Sequence, residues 1–446
     1  MNEAMERIRQ AVRRDKKAKL TALYHHVYNQ EHLRAAYQGI NPKAAAGVDQ
    51  KTWAEYGQDL ERNIEELTKR LRRQAYRAKP VRRVYIPKAD GRERALGVPV
   101  LEDKIVQKVT AEIFTAIWEE EFLGFSYGYR PGRSPHQAID ALAVGMERSS
   151  VRWVLDADIR GFYDTISHEW LVKFIEHRIG DKRVVNLIKK WLKAGVMEAG
   201  ERIQSEAGTP QGGLISPILA NIYLHYVFDL WIQQWRRQTG RDEVVVVRYA
   251  DDIVIGFGKR TEAQQFQREM TERMKKFELE LNEKKTRLIE FGRYAAINRA
   301  GRGQGKPETF DFLGFTHIST KNRRGNFTVL RLTKRERMWA KLKEMKRELK
   351  QRMHRPIPEQ GAWLRTILLG HYQYYGVPMN GQALYAFRYH LLRVWKRVLE
   401  RRSQNGEVTW ERMHRLERRW LPVPQICHPY PMQRIGVKTQ SRSRMR

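Results

Sequence analysis

The 446-residue sequence predicts an α+β fold in which helices underlie an antiparallel sheet and a helical region follows toward the C-terminus. Three observations carry that expectation. Two stretches of strand texture, VRWVLDADIRGFYDTIS (151–167) and VVVVRYADDIVIGFG (244–258), bracket a long apolar helical run opened by the turn GTPQGG. From residue 334 onward, apolar positions recur at helical spacing instead. Hydrophobic residues make up 41% of the chain, enough to bury a sizeable core across two or three domains.

The first 75 residues read as mostly helical, interrupted at NPKAAAGVDQKTW (41–53), where Pro42, the Ala run and Gly47 signal a loop. Residues 81–100, VRRVYIPKADGRERALGVPV, alternate apolar and basic side chains around an Ala-Asp-Gly turn. That pattern is a hairpin carrying Arg82, Lys88, Arg92 and Arg94, a suitable phosphate clamp. SYGYRPGRSPHQAI (126–139) is a Gly- and Pro-rich turn entering a helix, and it offers Arg130 and Arg133 to a nucleic-acid backbone.

The acids come next. Asp156 and Asp158 project from the same face of one strand, and Asp164 follows the Gly161 turn with Phe162 and Tyr163 beside it. Asp251 and Asp252 sit at the tip of an apolar hairpin. Two carboxylates ~4 Å apart at an effective dielectric of about 20 repel by roughly 4 kcal/mol, so the pair either protonates or recruits cations. If the two acidic strands lie side by side, three carboxylates converge and can hold two Mg²⁺ together with triphosphate oxygens, the arrangement for nucleotidyl transfer. The GTPQGG turn between them can present backbone N–H groups and Gln211 to a nucleotide.

Charge names the partner class. Lys and Arg number 84 against 51 Asp and Glu, a formal net charge of +33, which suits a polyanion. Residues 321–446 hold 30 Lys and Arg against 8 Glu and no Asp, a net +22. Within them KRERMWAKLKEMKRELKQRMH (334–354) places Met338, Leu342, Met345, Leu349 and Met353 on one helical stripe, with Lys341, Lys343, Lys346, Arg347 and Lys350 on other faces. Helices are expected at 361–375 and 383–402, then the Pro-punctuated LPVPQICHPYP and a disordered tail ending SRSRMR. No run of 18 apolar residues and no signal-peptide core occur, so no membrane is expected and the chain reads as cytoplasmic. The single Cys427 excludes an internal disulfide and any zinc site of several thiolates.

Eight blocks in order, NPKAAAGVD, IPKADGRERALGVP, SYGYRPGRS, DIRGFYDTI, GTPQGGLISPILANIYL, RYADDIVI, LELNEKKTRLIEF and FDFLGF, closely resemble the group II intron-encoded reverse transcriptase/maturase family. One departure is mild: the family's usual Arg-Pro-Leu-Gly is Arg94-Ala95-Leu96-Gly97 here. The resemblance implies a right-hand polymerase, divided into an N-terminal extension and start of the fingers (1–75), a fingers and palm reverse transcriptase domain (76–320), a helical thumb or maturase domain X (321–425) and a basic tail (426–446). It implies an RNA-directed DNA polymerase that copies intron RNA from a DNA or RNA primer with dNTPs, and that assists splicing. Asp158, Asp251 and Asp252, with the Ile159 carbonyl nearby, would hold two Mg²⁺; alignment of DIRGFYD favours Asp158 over Asp156. Lys88, Arg94 and Arg82 would neutralise the triphosphate, Gln211 would border the nucleotide, and Tyr163 would lie under its sugar. Lys285 could protonate the leaving pyrophosphate or be a plain surface residue. Nucleic-acid contacts would come from Arg130, Arg133, Lys341, Lys343, Arg347 and Lys350. No DNA endonuclease domain is expected. A splicing-only maturase with a dead centre is disfavoured because all three acids are present. A retron-like enzyme would lack NPKAAAGVD. The alternative is a host-adapted group II-like reverse transcriptase of defence or DNA repair, and the unaltered YADD tetrad leans toward the intron.

Overall fold

Sequence alternation resolves into strands wherever apolar and polar residues trade places every second position, and the computed structural model places eleven of them among the described residues. They are β1 (Val81–Pro87), β2 (Glu93–Val98), β3 (Trp153–Asp158), β4 (Val196–Glu198), β5 (Glu201–Ile203), β6 (Val245–Tyr249), β7 (Asp252–Phe257), β8 (Arg287–Glu290), β9 (Phe310–Phe312), β10 (Phe315–Lys321) and β11 (Phe327–Thr333). The described residues are 2–87, 93–198, 201–203, 207–209, 212–238, 244–402 and 407–434.

The central sheet has the order β6-β7-β3-β8, with every neighbouring pair antiparallel. Its period-two alternation feeds two cores. Leu155, Ala157, Ile253, Ile255 and Phe257 drop into one, and Val154 and Val254 into the other. The first core is filled by helices Leu101–Trp118, Ser216–Leu224 and Arg260–Lys276, and the N-terminal helices Asn2–Arg14, Gln30–Gln38 and Leu60–Arg72 share it. The second is built by helix Pro135–Arg148 and the sheet β11-β10-β9. The expected two layers are therefore three, since β7 is buried on both faces. A mixed sheet, β2-β1-β4-β5, stands beyond, with β4 parallel to β1.

Residues 315–333 form one hairpin, β10–β11, paired throughout its length, so the boundary expected at 320 cuts a hairpin and the sheet region continues to Thr333. Thereafter the chain is helical: Arg335–Gln351, Ile357–Tyr375, Gly381–Glu400 and Trp410–Trp420. Leu342, Met345 and Leu349 from the predicted stripe are buried with Leu364, Leu368, Phe387, Leu391 and Trp395, while Met338 and Met353 pack at the margin. The fourth helix went unread in the sequence because WERMHRLERRW is mostly charged and buries only Met413.

The tail expected from 426 is in part a strap. Cys427 and His428 donate their backbone N–H groups to the Gly376 carbonyl (2.8 and 3.1 Å). The His428 ring stacks on His136 with centroids 3.8 Å apart, and Arg434 pairs with Asp140 at 2.9 Å. Residues 435–446, with the terminal basic run, lie outside the described residues.

His371 tests how the helical unit depends on pH. Its ring stacks on Phe387 at 3.8 Å and 13°, and burial, then Lys341, pulls its pKa down to about 4. The folded state thus favours the neutral ring. That contribution is intact above the unfolded value of about 6.5 and is lost as pH falls through 6.5 toward 4. The thermal midpoint is expected to drop between pH 7.5 and pH 5, and His371→Phe should shrink that drop. An equal drop in both proteins would show that His371 does not contribute.

Candidate active site

The site is built where β3 meets the β6–β7 hairpin. In the register Asp158 sits opposite Asp252, and Tyr249 opposite Asp252 on the other side, so Ala250 and Asp251 form the two-residue turn. Ala250 has φ +56°, a left-handed conformation that costs a non-Gly residue about 1–2 kcal/mol. Asp158 Oδ2 accepts from Lys285 Nζ at 2.9 Å and from Asn282 Nδ2 at 3.1 Å. The Asp158 carbonyl accepts from the Asn282 N–H, and Ile159 forms an isolated bridge with Leu281, so β3 continues into the NEKKT loop. Asp156, the competing ligand, leans instead toward Arg287 (3.8 Å), and burial, then Asp311 and Asp158, pushes it up to about 6 against Arg287 and Lys334.

Electrostatics at this corner is set by crowding. Asp252 is open to solvent at its tip yet ringed by protein, and burial, then Asp251, Asp158 and Asp156, pushes its carboxyl up to about 7 against the opposing Arg337. Asp251 is also raised, by burial first and then Asp158, while its own backbone N–H, Arg94 and Lys285 oppose. A buried cluster of like charge is relieved by a bound cation, so the donor set suits a hard, oxygen-preferring metal such as Mg²⁺. As they stand, with Asp158 turned to Lys285, no three acidic, His or Cys side chains among the described residues enclose a metal ion.

Around the acids, Arg94 on β2 faces both Asp251 and Tyr163. Tyr163 is half-buried, hydrogen-bonds Tyr129 through its phenol, and accepts at its carbonyl from the Thr209 N–H at 2.8 Å. The GTPQGG turn reaches the β1–β2 hairpin at Gly212, where φ is +117° and an added Cβ would lie 2.6 Å from the Gly97 oxygen. Lys88, Arg92 and Gln211 lie outside the described residues. Arg82 is turned away from this cleft: its Nε and NH2 donate to the Ala46 carbonyl at 3.0 and 2.7 Å, tying β1 to the NPKAAAGVD loop.

Arg130 is held inside its own turn. Its side chain is 3% exposed, with Nε and NH2 donating to Glu119 and NH1 to the Leu123 and Ser126 carbonyls, so most of its donors are engaged within the turn. Arg133 is half-buried over the Tyr127 ring at 5.2 Å. On helix Arg335–Gln351, Lys343, Arg347 and Lys350 are exposed, while Lys341 is half-exposed and paired with Glu344 at 2.9 Å. Sequence reasoning missed Asn282 as an Asp158 partner, and it missed Arg248, a lone cation inside VVVVRY that is wholly buried under the acidic turn. A charge in the middle of a β-branched run was the available signal.

Residues 86–317 match the family model described as reverse transcriptase (RNA-dependent DNA polymerase). The chain is similar to protein YkfC of Escherichia coli, 38% identical over 217 residues that cover 42% of this chain and 57% of that protein. It is also similar to the group II intron-encoded protein LtrA of Lactococcus lactis, 34% identical over 226 residues that cover 50% of this chain and 37% of that protein. A more distant match, 25% identical over 114 residues, is nuclear intron maturase 1 of Arabidopsis thaliana, covering 26% of this chain and 16% of that protein. The matched regions thus span little more than half of these relatives at most.

Proposed function

The chain belongs to the reverse transcriptase (RNA-dependent DNA polymerase) family, and from that premise we propose that it is the RNA-directed DNA polymerase of a group II intron, copying intron RNA into cDNA and assisting its splicing. The observation that carries the reading is the register of Asp158 opposite Asp252 with Asp251 in the adjoining turn. Asp158, Asp251 and Asp252, helped by the Ile159 carbonyl, would hold two Mg²⁺, which when bound supply acidity to a primer 3′-hydroxyl and countercharge to a triphosphate. Arg94, with Lys88, takes the triphosphate of a dNTP; Gln211 borders the nucleotide and Tyr163 lies beneath its sugar. The sheets and first two cores act as fingers and palm, continuing to Thr333, and the four C-terminal helices act as the thumb. No helix among the described residues is long and apolar enough to cross a membrane. The decisive experiment is extension of a primer annealed to RNA, with Mg²⁺ and dNTPs. Failure to incorporate under any divalent ion would refute the polymerase reading.

The splicing half rests on charge. A primer-template duplex occupies one cleft, whereas the net +22 of residues 321–446 is spread over several helix faces. Replacing Lys341, Lys343, Arg347 and Lys350 by Gln together removes up to four phosphate contacts, each lowering the salt slope of RNA binding by roughly 0.7 to 0.9. Helix propensity barely changes. Binding to structured intron RNA is expected to weaken and lose salt sensitivity, with extension on a short primer-template reduced much less. Parallel losses in both assays would assign this face to the polymerase cleft alone.

A further inference from the structure

Arg248 lies mid-strand in β6 with no solvent exposure, two residues before the strained Ala250 and three before Asp251. A lone guanidinium in a β-branched strand needs partners for five N–H groups. It finds them: Nε and NH2 bind the two oxygens of Asp229 at 2.7 and 2.5 Å, NH2 also reaches Ser126 Oγ at 2.7 Å, and NH1 donates to Asn221 Oδ1 and to the Ala250 carbonyl, both at 3.1 Å. Asp229 is itself fully buried, and Asn221 Nδ2 donates onward to the Gly128 carbonyl at 2.7 Å.

Two of those contacts converge on the turn. The Arg248 bond reaches Ala250 from below. Gly128 presses on it from the side, where an added Cβ would lie 2.4 Å from the Ala250 nitrogen. The helix contributes through a local irregularity. Asn221 and Asp229 are eight residues apart, a separation that sets them about 80° apart around a regular α-helix, whereas residues seven apart lie within about 20° of each other. The π-turn His225–Asp229 absorbs the extra residue and brings both onto Arg248.

We propose that Arg248, held by Asp229 and Asn221, is the positioning residue of the Tyr249–Asp252 turn: it clamps the left-handed Ala250 and so fixes where Asp251 and Asp252 stand relative to Asp158. Strained turns persist only where their surroundings over-determine them, and an ångström of carboxylate misplacement costs on the order of a hundredfold in rate. This inference rests on the metal-dependent polymerase reading above.

Two variants test it in the full chain. Asn221→Ala cuts one arm of the clamp. Asp229→Leu combined with Arg248→Met replaces a buried ion pair by apolar residues, an exchange that commonly leaves stability unharmed while removing the side-chain bond to the Ala250 carbonyl. The readouts are Mn²⁺ binding by EPR titration without nucleic acid, amide exchange of residues 249–252, single-turnover extension, primer-template affinity and thermal midpoint. The expected result is Mn²⁺ affinity weakened 3- to 10-fold, faster exchange at the turn and extension slowed 30- to 100-fold, with primer-template affinity within twofold and the midpoint within a few degrees. Unchanged Mn²⁺ affinity and exchange in folded Asn221→Ala, whatever its rate, overturn the proposal, as does a fall in the midpoint with normal rate per folded molecule. If the unmodified protein neither binds Mn²⁺ nor extends a primer, the polymerase reading itself is what has failed.

Discussion

Extension of an RNA-templated primer is expected to fall by at least about a thousandfold when Asp251 and Asp252 are both changed to Asn, because two of the three carboxylates proposed to hold the divalent ions would lose their charge. Template binding should stay within a few fold, since removing negative charge does not weaken attraction to phosphate. The fold should not suffer. Asp252 is pushed up to about 7 and Asp251 is raised, so the native state favours their neutral forms, and a neutral amide relieves the crowding among Asp156, Asp158, Asp251 and Asp252. By sign, carboxyls raised in the folded state cost stability as pH climbs from the unfolded range near 4 through the folded values. The double variant measured without metal at pH 8 should therefore melt no lower than the parent. Retained extension would remove these acids from the chemistry, and a much lower melting point would make the loss uninterpretable as chemistry, which Asp158→Asn measured alongside would resolve.

The second large effect concerns the sugar. Tyr163 is near enough to Arg94 and Asp251 to feel both charges, its phenol is bound to Tyr129, and its backbone carbonyl accepts from Thr209, so the ring is fixed beside the acidic turn. If the ring lies beneath the sugar as proposed, it would exclude a ribose 2′-hydroxyl by contact. Tyr163→Val is expected to raise ribonucleotide incorporation about tenfold or more, with deoxynucleotide use falling less. The measurement is the ratio of kcat/KM values for matched ribo- and deoxynucleoside triphosphates. An unchanged ratio with a lowered melting point would place Tyr163 in the core.

The acidic strands, the cationic hairpin and the basic amphipathic helix were legible in the chain because each announces itself locally. Period two sets Asp156 beside Asp158, like charges at a hairpin tip demand a counter-ion, and helical spacing sets Leu342, Met345 and Leu349 against solvent-facing cations. Arg130 shows the limit of local signatures: a basic residue in a Gly-Pro turn reads as a phosphate contact, and nothing local reveals that Glu119 and two carbonyls engage most of its donors. The hairpin β10–β11 and helix Trp410–Trp420 were missed because their patterns are weak without the surfaces they pack on.

By itself, then, the sequence determined the chemistry: which carboxylates exist, in what pairs, and that a strongly basic chain carries them. Tertiary structure decided which of those acids meet and what holds them there. Asp158 faces Asp252 only through the β3–β7 register, chosen by apolar residues entering two cores on opposite faces of one sheet. Arg248, Asp229 and Asn221 form one network only because a π-turn rotates a helix by one residue beneath that sheet. Such contacts join residues that are distant in the chain, and their energy depends on burial that no local pattern encodes.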